Sequence, residues 1–290
     1  MVNKTDYDFT SMSTFQTCRR KYDLRINKGY VGKVAQTAPD FGKAIHLALD
    51  SWYADKDVDK AVAVFNGAYT EDLEIDDKRT NALGEWIIRN YHTTYRDQAW
   101  ELIESEIEFK LPLPNGNNFT GRVDKIIRWD GTLWIVDHKT MSSLGQTYHY
   151  MTEPSLQFVG YAWAMKQRGY DIKGFILDAI LVAKGLMPSI STTTGAKVAA
   201  NKNLTPLSRY DVYYKQEHFD EWLDTVTKIQ RDIKIAEESD EWYPNFSSCI
   251  NFIECPYRKV CKEETGIRQR ILDADYEVKH WSPLTAEVKE

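Results

Sequence analysis

Thr120-Gly-Arg-Val-Asp124-Lys-Ile-Ile-Arg-Trp129-Asp130-Gly131-Thr132-Leu-Trp-Ile-Val-Asp137-His138-Lys139-Thr140 is the stretch on which the fold turns. Both halves are rich in β-branched and aromatic residues, and Asp130-Gly131 between them is a two-residue hairpin signal. With those two residues as the loop, Trp129 pairs with Thr132, and counting outward sets Asp124 opposite Asp137. Directly opposed side chains lie about 4.5–5.5 Å apart at Cβ, and two carboxylates that close repel unless a proton or a cation sits between them. Strand alternation puts the Lys139 ammonium on the face of Asp137. Two carboxylates and a lysine so spaced suit a divalent metal that activates water against a phosphodiester. The expectation is a metal-dependent nuclease.

Another candidate strand, residues 102–112, precedes the hairpin and ends at the turn signal Pro114-Asn115-Gly116-Asn117. In it Glu104, Glu106 and Glu108 alternate with Ser105, Ile107 and Phe109, so the acids are expected on one face. A two-residue Asn-Gly loop would set Ile107 opposite Asp124, whereas an odd-length loop or a bulge would bring Glu106 or Glu108 toward the site. Upstream, Phe41, Ile45, Leu49 and Trp52 have helical spacing. That helix carries His46, a further metal ligand if it lies against the sheet. Gln157 and Tyr161 are four apart in a predicted helix, hence on one face.

Taken in order, Gly42-x-x-x-His46, Glu106, Gly121-Arg122-Val123-Asp124, Asp137-His138-Lys139-Thr140 and Gln157-x-x-x-Tyr161 resemble the motif series of RecB-type nucleases in the PD-(D/E)XK superfamily. The resemblance runs from about Ser11 to Cys261. It implies a restriction-endonuclease-like α/β fold, a mixed sheet flanked by helices. It further implies that His46, Asp124, Asp137 and the carbonyl of His138 bind Mg²⁺ or Mn²⁺. Lys139 would assist the attacking water, Gln157 and Tyr161 would border the site and the DNA, and Glu106 would be an accessory acid. The His138 side chain is expected to point away from the acids.

The four cysteines are Cys18 near one end and Cys249, Cys255 and Cys261 near the other. A disulfide scaffold is not expected of a chain this long with so few cysteines and no secretory signal. Three thiols in Cys-x5-Cys-x5-Cys, closed by Cys18, suggest instead a metal or cluster site, and zinc and iron–sulfur both accept four thiolates. One cysteine before the nuclease motifs and three after them resembles the iron–sulfur subgroup of the superfamily, which includes the AddB nuclease, exonuclease V-like enzymes and CRISPR adaptation nucleases. Ser11-x-Ser13-x-Phe15-x-x-Cys18-x-x-x-Tyr22 and Cys255-Pro256-Tyr257 match its flanks, although the first C-terminal gap is five residues where many members have two. The resemblance implies a [4Fe–4S] cluster that staples residues 11–25 to residues 245–265.

Composition agrees with one nuclease domain over residues 1–290, with its core at about 40–184 and a polar insert at about 185–208. The chain has 290 residues, 42% of them hydrophobic, and a net charge of −6. No apolar run approaches the roughly 18–20 residues of a membrane span, and free thiols without a signal segment suggest a cytoplasmic protein. The acid balance announces no nucleic-acid binder. However, Arg19, Arg20, Lys21, Arg25, Arg258, Lys259, Lys262, Arg268 and Arg270 adjoin the cysteines and would form a basic patch if the ends meet. Further helices are expected near 12–25, 41–54, 57–72, 78–98, 154–168 and 217–238, and further strands near 174–184 and 209–215. No phosphate-binding Gly-x-x-x-x-Gly-Lys-Thr loop is present, so a helicase or recombinase partner is conceivable for work on duplexes. The function these features support is an exonuclease on single-stranded DNA or DNA ends in recombination or repair. The alternatives are a catalytically lapsed DNA-binding scaffold and a zinc-stapled structural protein.

Overall fold

A computed structural model describes residues 5–33, 37–74, 76–145, 153, 155–190, 195–251, 253–282 and 284. Thr192-Thr193-Thr194 of the polar insert lie outside these residues.

Strand β1 (Asp6–Tyr7) leads into helix α1 (Phe9–Thr17), whose first turn is capped by Asp8, which accepts from the amides of Thr10 and Ser11. The helix expected over 12–25 is broken at Cys18, which stands in extended backbone at φ −166° between α1 and the short α2 (Arg19–Tyr22). A π-helical turn, Asp23–Asn27, and β2 (Tyr30–Gly32) follow. Three helices come next: α3 (Thr37–Asp55), α4 (Val58–Ala68) and α5 (Asn81–Tyr95). Asp57 caps α4 and Thr80 caps α5, each accepting from free first-turn amides as short polar side chains do at helix starts.

The sheet then begins with β3 (Glu101–Pro112), β4 (Asn118–Trp129) and β5 (Thr132–Met141). Helix α6 (Leu156–Gln167) crosses to β6 (Ile172–Leu181), parallel to β5. The insert contains a two-stranded ribbon, β7 (Ser189–Ile190) with β8 (Lys197–Val198). Strand β9 (Leu207–Val212) pairs antiparallel with β6 and feeds α7 (Gln216–Ser239). The remainder is small: β10 (Ile250–Asn251), β11 (Ile253–Glu254), α8 (Arg258–Lys262), α9 (Thr265–Asp275) and β12 (Tyr276–Val278), the last pairing with β2.

The result is the expected mixed α/β architecture, a six-stranded sheet with helices on both faces. Beneath α1, α6 and α7 the core gathers Phe15, Phe119, Phe158, Phe175 and Trp222; beneath α3, α4 and α5 it gathers Phe41, Ile45, Leu49, Trp52, Phe65 and Ile180. The apolar residues predicted on one face of α3 are thus all fully buried.

Two details of the sheet position the site. Trp129 pairs with Thr132, and Asp130 (φ 49°) and Gly131 (φ 73°) both take positive φ, the tight hairpin read from the sequence. The β4–β5 ladder stops at Lys125–Val136, one step short of the two aspartates. On the same edge of β4, β1 pairs with Asn118 and Phe119 instead, while β3 occupies the other edge. Residues 120–124 of β4 therefore border a gap in the sheet, between β1 and the departing β5.

Candidate active site

Asp124 and Asp137 face each other across that gap. Asp137 is 2% exposed, and its Oδ2 accepts no hydrogen bond of good geometry. Lys139 lies on the same side, its Nζ 2.8 Å from Asp137 Oδ2 and 3.2 Å from Oδ1. Asp124 Oδ2 receives the backbone amide of His138 at 3.2 Å, so the two strands remain linked where their ladder has ended. The α3 helix reaches the site because Gly42 lets it pass close to β5; a Cβ there would meet Thr140 Oγ1 at 3.0 Å. One turn on, His46 Nδ1 stands 3.2 Å from Asp124 Oδ2. Gln157 and Tyr161 project from α6 and are hydrogen-bonded to each other. Together with Asp8, Thr10, Lys43, Gly121, Arg122 and Trp281, the side chains of Asp124, Asp137, Lys139, Gln157 and Tyr161 line a cleft of about 470 Å³.

The electrostatics follow from this crowding. Burial raises the Asp137 carboxyl, and repulsion from Asp124 adds to burial against the attraction of Lys139. Burial also opposes ionisation of Asp124, but His46 and then Lys139 outweigh it and hold Asp124 far below the usual carboxylate range. For His46, burial disfavours the imidazolium, yet the Asp124 carboxylate wins and raises it. Lys139 likewise is raised, Asp137 and Asp124 overcoming its desolvation. Burial pushes the Tyr161 hydroxyl well up, keeping it a neutral donor. The acids thus draw positive charge toward themselves.

Glu106 is resolved by the loop that follows its strand. Leu113 N donates to Asn117 O and Gly116 N to Leu113 O, a three-residue turn with Gly116 at φ 81°. That odd-length turn fixes the register in which Ser105 pairs with Lys125 and Ile107 with Val123, so Glu106 and not Ile107 stands opposite Asp124. Glu106 adopts φ 52°, left-handed backbone that costs a non-glycine residue about 1–3 kcal/mol. Its carboxylate meets Arg122 at 2.7 Å and is raised, by burial first and by Asp50 and Asp124 against Arg122. The alternation expected for the three glutamates fails: a register shift between Leu102 and Glu104 and the turn at Glu106 interrupt it, and Glu104 bonds the Tyr170 hydroxyl.

His138 turns its ring away from the cleft, as expected, into an assembly that the sequence analysis missed. Its Nδ1 lies 3.3 Å from Asp178 Oδ2 on β6, and both residues are fully buried. The same oxygen accepts from Tyr91 (2.6 Å) and Arg209 (3.1 Å), and Tyr91 and Tyr53 share a 2.7 Å hydrogen bond. The Arg209 guanidinium is sandwiched 3.5 Å from the Tyr95 ring centroid and 3.8 Å from that of Trp100. Burial and Lys125 push His138 down to about 4, so it is neutral; Arg209, opposing burial, takes Asp178 down to about 2. A charged residue in the apolar run Phe175-Ile-Leu-Asp178-Ala-Ile was the signal available.

The cysteines form a separate region. All four thiols are free, Cys18 buried and the others half-buried. Asn245 links two of them: its amide donates to Cys18 Sγ (3.3 Å), and its carbonyl accepts from Cys249 Sγ (3.8 Å). Burial raises the Cys255 thiol, with Cys249 and Cys261 adding repulsion. Tyr22 stacks on Trp242 at 5.8 Å, so the two ends of the chain meet here. Among the described residues, however, no three His, Cys, Asp or Glu side chains converge into a ready-made metal cage, at the thiols or at the acids. The basic patch expected beside the cysteines is largely occupied: Arg258 pairs with Glu254, Lys259 with Asp275, and Arg20 and Arg268 donate to carbonyls of Trp242 and Glu263.

A family model for the PD-(D/E)XK nuclease superfamily matches residues 9–262. The chain belongs to that superfamily. No curated protein matches it. Among solved structures, a candidate exonuclease from Eubacterium rectale is similar at 14% identity, covering 91% of this chain and 94% of that one, with a TM-score of 0.46. The structure called SSO0001 is similar at 13% identity over 78% of this chain and 84% of that one, with a TM-score of 0.31.

Proposed function

We propose that the protein is a metal-dependent deoxyribonuclease, an exonuclease acting on single-stranded DNA or DNA ends in recombination or repair. The observation that carries this reading is the meeting of Asp124, Asp137 and Lys139 at the gap between β4 and β5. The donor set fits a divalent cation: one buried aspartate oxygen lacks a good hydrogen bond, and the paired carboxylates already recruit positive charge. Asp124, Asp137, His46 and the His138 carbonyl would hold Mg²⁺ or Mn²⁺, which supplies a Lewis acid and lowers the pKa of water. Lys139, kept protonated, counters charge developing on the phosphate oxygens, and its place beside Asp137 orients the nucleophile. Lys43 and Arg122 at the cleft wall suit the neighbouring phosphates. Gln157 would offer an amide to the bound strand, Tyr161 stays a neutral hydroxyl beside it, and Glu106 supports the site through Arg122.

Four thiols are the donors a tetrathiolate group takes, and a [4Fe–4S] cluster is the occupant we favour. It would tie the two ends of a single domain spanning residues 1–290, in which cross-linking distant segments restricts the unfolded chain. Free thiols accord with an intracellular, cytoplasmic setting. No described helix is long and apolar enough to cross a membrane. A helicase or recombinase partner would open duplexes for an enzyme of this kind.

The test is degradation of end-labelled single-stranded DNA by anaerobically purified protein with Mg²⁺ or Mn²⁺, with EDTA, and beside Lys139→Ala. Cleavage that needs metal and Lys139 supports the reading, and the product ladder gives the polarity. Absence of cleavage by cluster-loaded protein would favour a binding or scaffolding role.

A further inference from the structure

The cleft has one wall that the nuclease motifs do not supply. After β12 pairs with β2, the chain stays tethered: Lys279 N donates to Gly29 O at 2.7 Å, and Arg25 Nη1 donates to Lys279 O at 3.1 Å. These bonds deliver Trp281 to the rim of the cleft that holds Asp124, Asp137 and Lys139. There its indole Nε1 donates to Asp8 Oδ2 at 3.1 Å, and the Arg25 guanidinium stands 5.4 Å from its ring centroid. Asp8 is itself buried and fixed as the cap of α1. A large aromatic ring is thus locked in place from the far end of the sequence.

Its surroundings make that placement unusual. Apart from Leu284 and Tyr161, the other side chains of the cleft are polar or charged, with Lys43, Arg122, Lys139, Gln157 and Thr10 around the two acids. The other aromatic residue in the lining, Tyr161, is only 9% exposed, whereas Trp281 is 37% exposed. Its one polar atom is already satisfied by Asp8, so what it offers an incoming ligand is ring surface. A nucleic-acid strand presents phosphates, which the cations and acids of the cleft address, and flat bases, for which Trp281 is the one exposed aromatic ring among the described residues of the lining. Bases stack on aromatic side chains regardless of sequence, provided that they are unpaired.

We propose that Trp281 is a base-stacking platform that seats the unpaired nucleobase next to the phosphate held at Asp124, Asp137 and Lys139. This rests on the nuclease reading above and adds a residue that selects for single strands. Trp281 positions the strand and takes no part in bond cleavage.

The experiment compares the wild type, Trp281→Ala and Trp281→Phe by fluorescence anisotropy of labelled oligothymidylate in EDTA, and of a strand of the same length made of abasic residues. Binding in EDTA is read without cleavage, so its result is independent of whether the nuclease reading holds; that reading is judged separately by the Lys139-dependent cleavage assay. The expected result is that Trp281→Ala weakens binding of the base-bearing strand about tenfold, as loss of one stacking contact does. Binding of the abasic strand should be unchanged, and Trp281→Phe should restore most of the loss. Equal weakening for both strands would make Trp281 a structural prop and overturn the inference. So would unchanged affinity, or tighter binding by Trp281→Ala, which would mark the tail as a plug.

Discussion

Asp137 and Asp178 lie on paired strands one register step apart, both buried, and the protein treats them in opposite ways. On the face toward α5, Asp178 receives Tyr91 and Arg209 and is held down to about 2, against the cost of burial. On the face toward α6, Asp137 is pushed up by burial and by Asp124 against the attraction of Lys139, although each of the two aspartates has one oxygen that lacks a hydrogen bond of good geometry. One carboxylate is held by a guanidinium and a tyrosine hydroxyl; the other is shared between a lysine and a repelling carboxylate neighbour. A buried charge that its counter-ion holds down anchors structure, whereas one that stays raised beside a like charge is available to a ligand. His138 joins the two, its amide bonded to Asp124 and its ring beside Asp178.

On that contrast, removing the aspartate held down by Arg209 damages the fold. Asp178→Ala strands Arg209 between two rings without a counter-ion, and breaking a buried pair in this way costs about 3–5 kcal/mol. Urea unfolding should show that loss. Replacing Asp178 and Arg209 together by apolar residues should recover much of it, because the stranded charge and not the missing bond is the cost. An unchanged midpoint in Asp178→Ala would erase the distinction between the faces.

Changes at the cleft should act mainly on activity. Lys139→Ala is expected to lower cleavage by about 10²–10³-fold, the loss typical of one group that stabilises developing charge. Asp137→Asn should abolish metal-dependent cleavage and destabilise the metal-free protein less than Asp178→Ala does, since relief of repulsion with Asp124 offsets the lost Lys139 pair. Activity and urea midpoint measured on the same preparations check both statements.

Acid should separate the faces more finely. His138 sits near 4, below an ordinary histidine, so the unfolded chain takes up a proton first, and the stability this contributes is whole above about pH 6.5 and lost as pH falls toward 4. At about 1.36 kcal/mol per unit, that is on the order of 3 kcal/mol. Asp178, depressed to about 2, adds a further loss below the ordinary carboxylate value. Asp137 is raised and has the opposite sign: its folded form gains stability as pH falls through the range between its ordinary and its raised value. The metal-free wild type should therefore lose stability only gently between about pH 6.5 and 4, and Asp137→Asn should lose it more steeply. Equal slopes in urea titrations across this range would contradict the assignment.

The open face was far more legible in the sequence than the closed one. Asp130-Gly131 fixes its own turn geometry locally, so counting outward along a regular ladder led from Trp129–Thr132 to the two aspartates. Such counting cannot see that β1, from the other end of the chain, takes over the edge of β4 and opens the gap. Asp178, Arg209 and Tyr91 come from three separate elements, and no local pattern joins them; only the lone acid within an apolar strand marked the place. Trp281 and Asp8 are more distant still, lying at opposite ends of the chain. The break at Cys18 was hidden because helical periodicity continues across it.

Glu106 lies between these cases, and it offers the smallest and sharpest test. Its register depended on whether the Pro114–Asn117 turn held two or three loop residues, which sequence left open. The three-residue turn brings it opposite Asp124, at the cost of left-handed backbone and a raised carboxyl. Glycine relieves that backbone strain and alanine does not, while both remove the carboxylate and its half-exposed pair with Arg122. Glu106→Gly should therefore be more stable than Glu106→Ala by about 1 kcal/mol. If both variants also cleave more slowly than the wild type, the strain is retained for the carboxylate it places. If Glu106→Gly gains stability and keeps full activity, the conformation is an incidental product of the turn, and the open face needs only Asp124, Asp137 and Lys139.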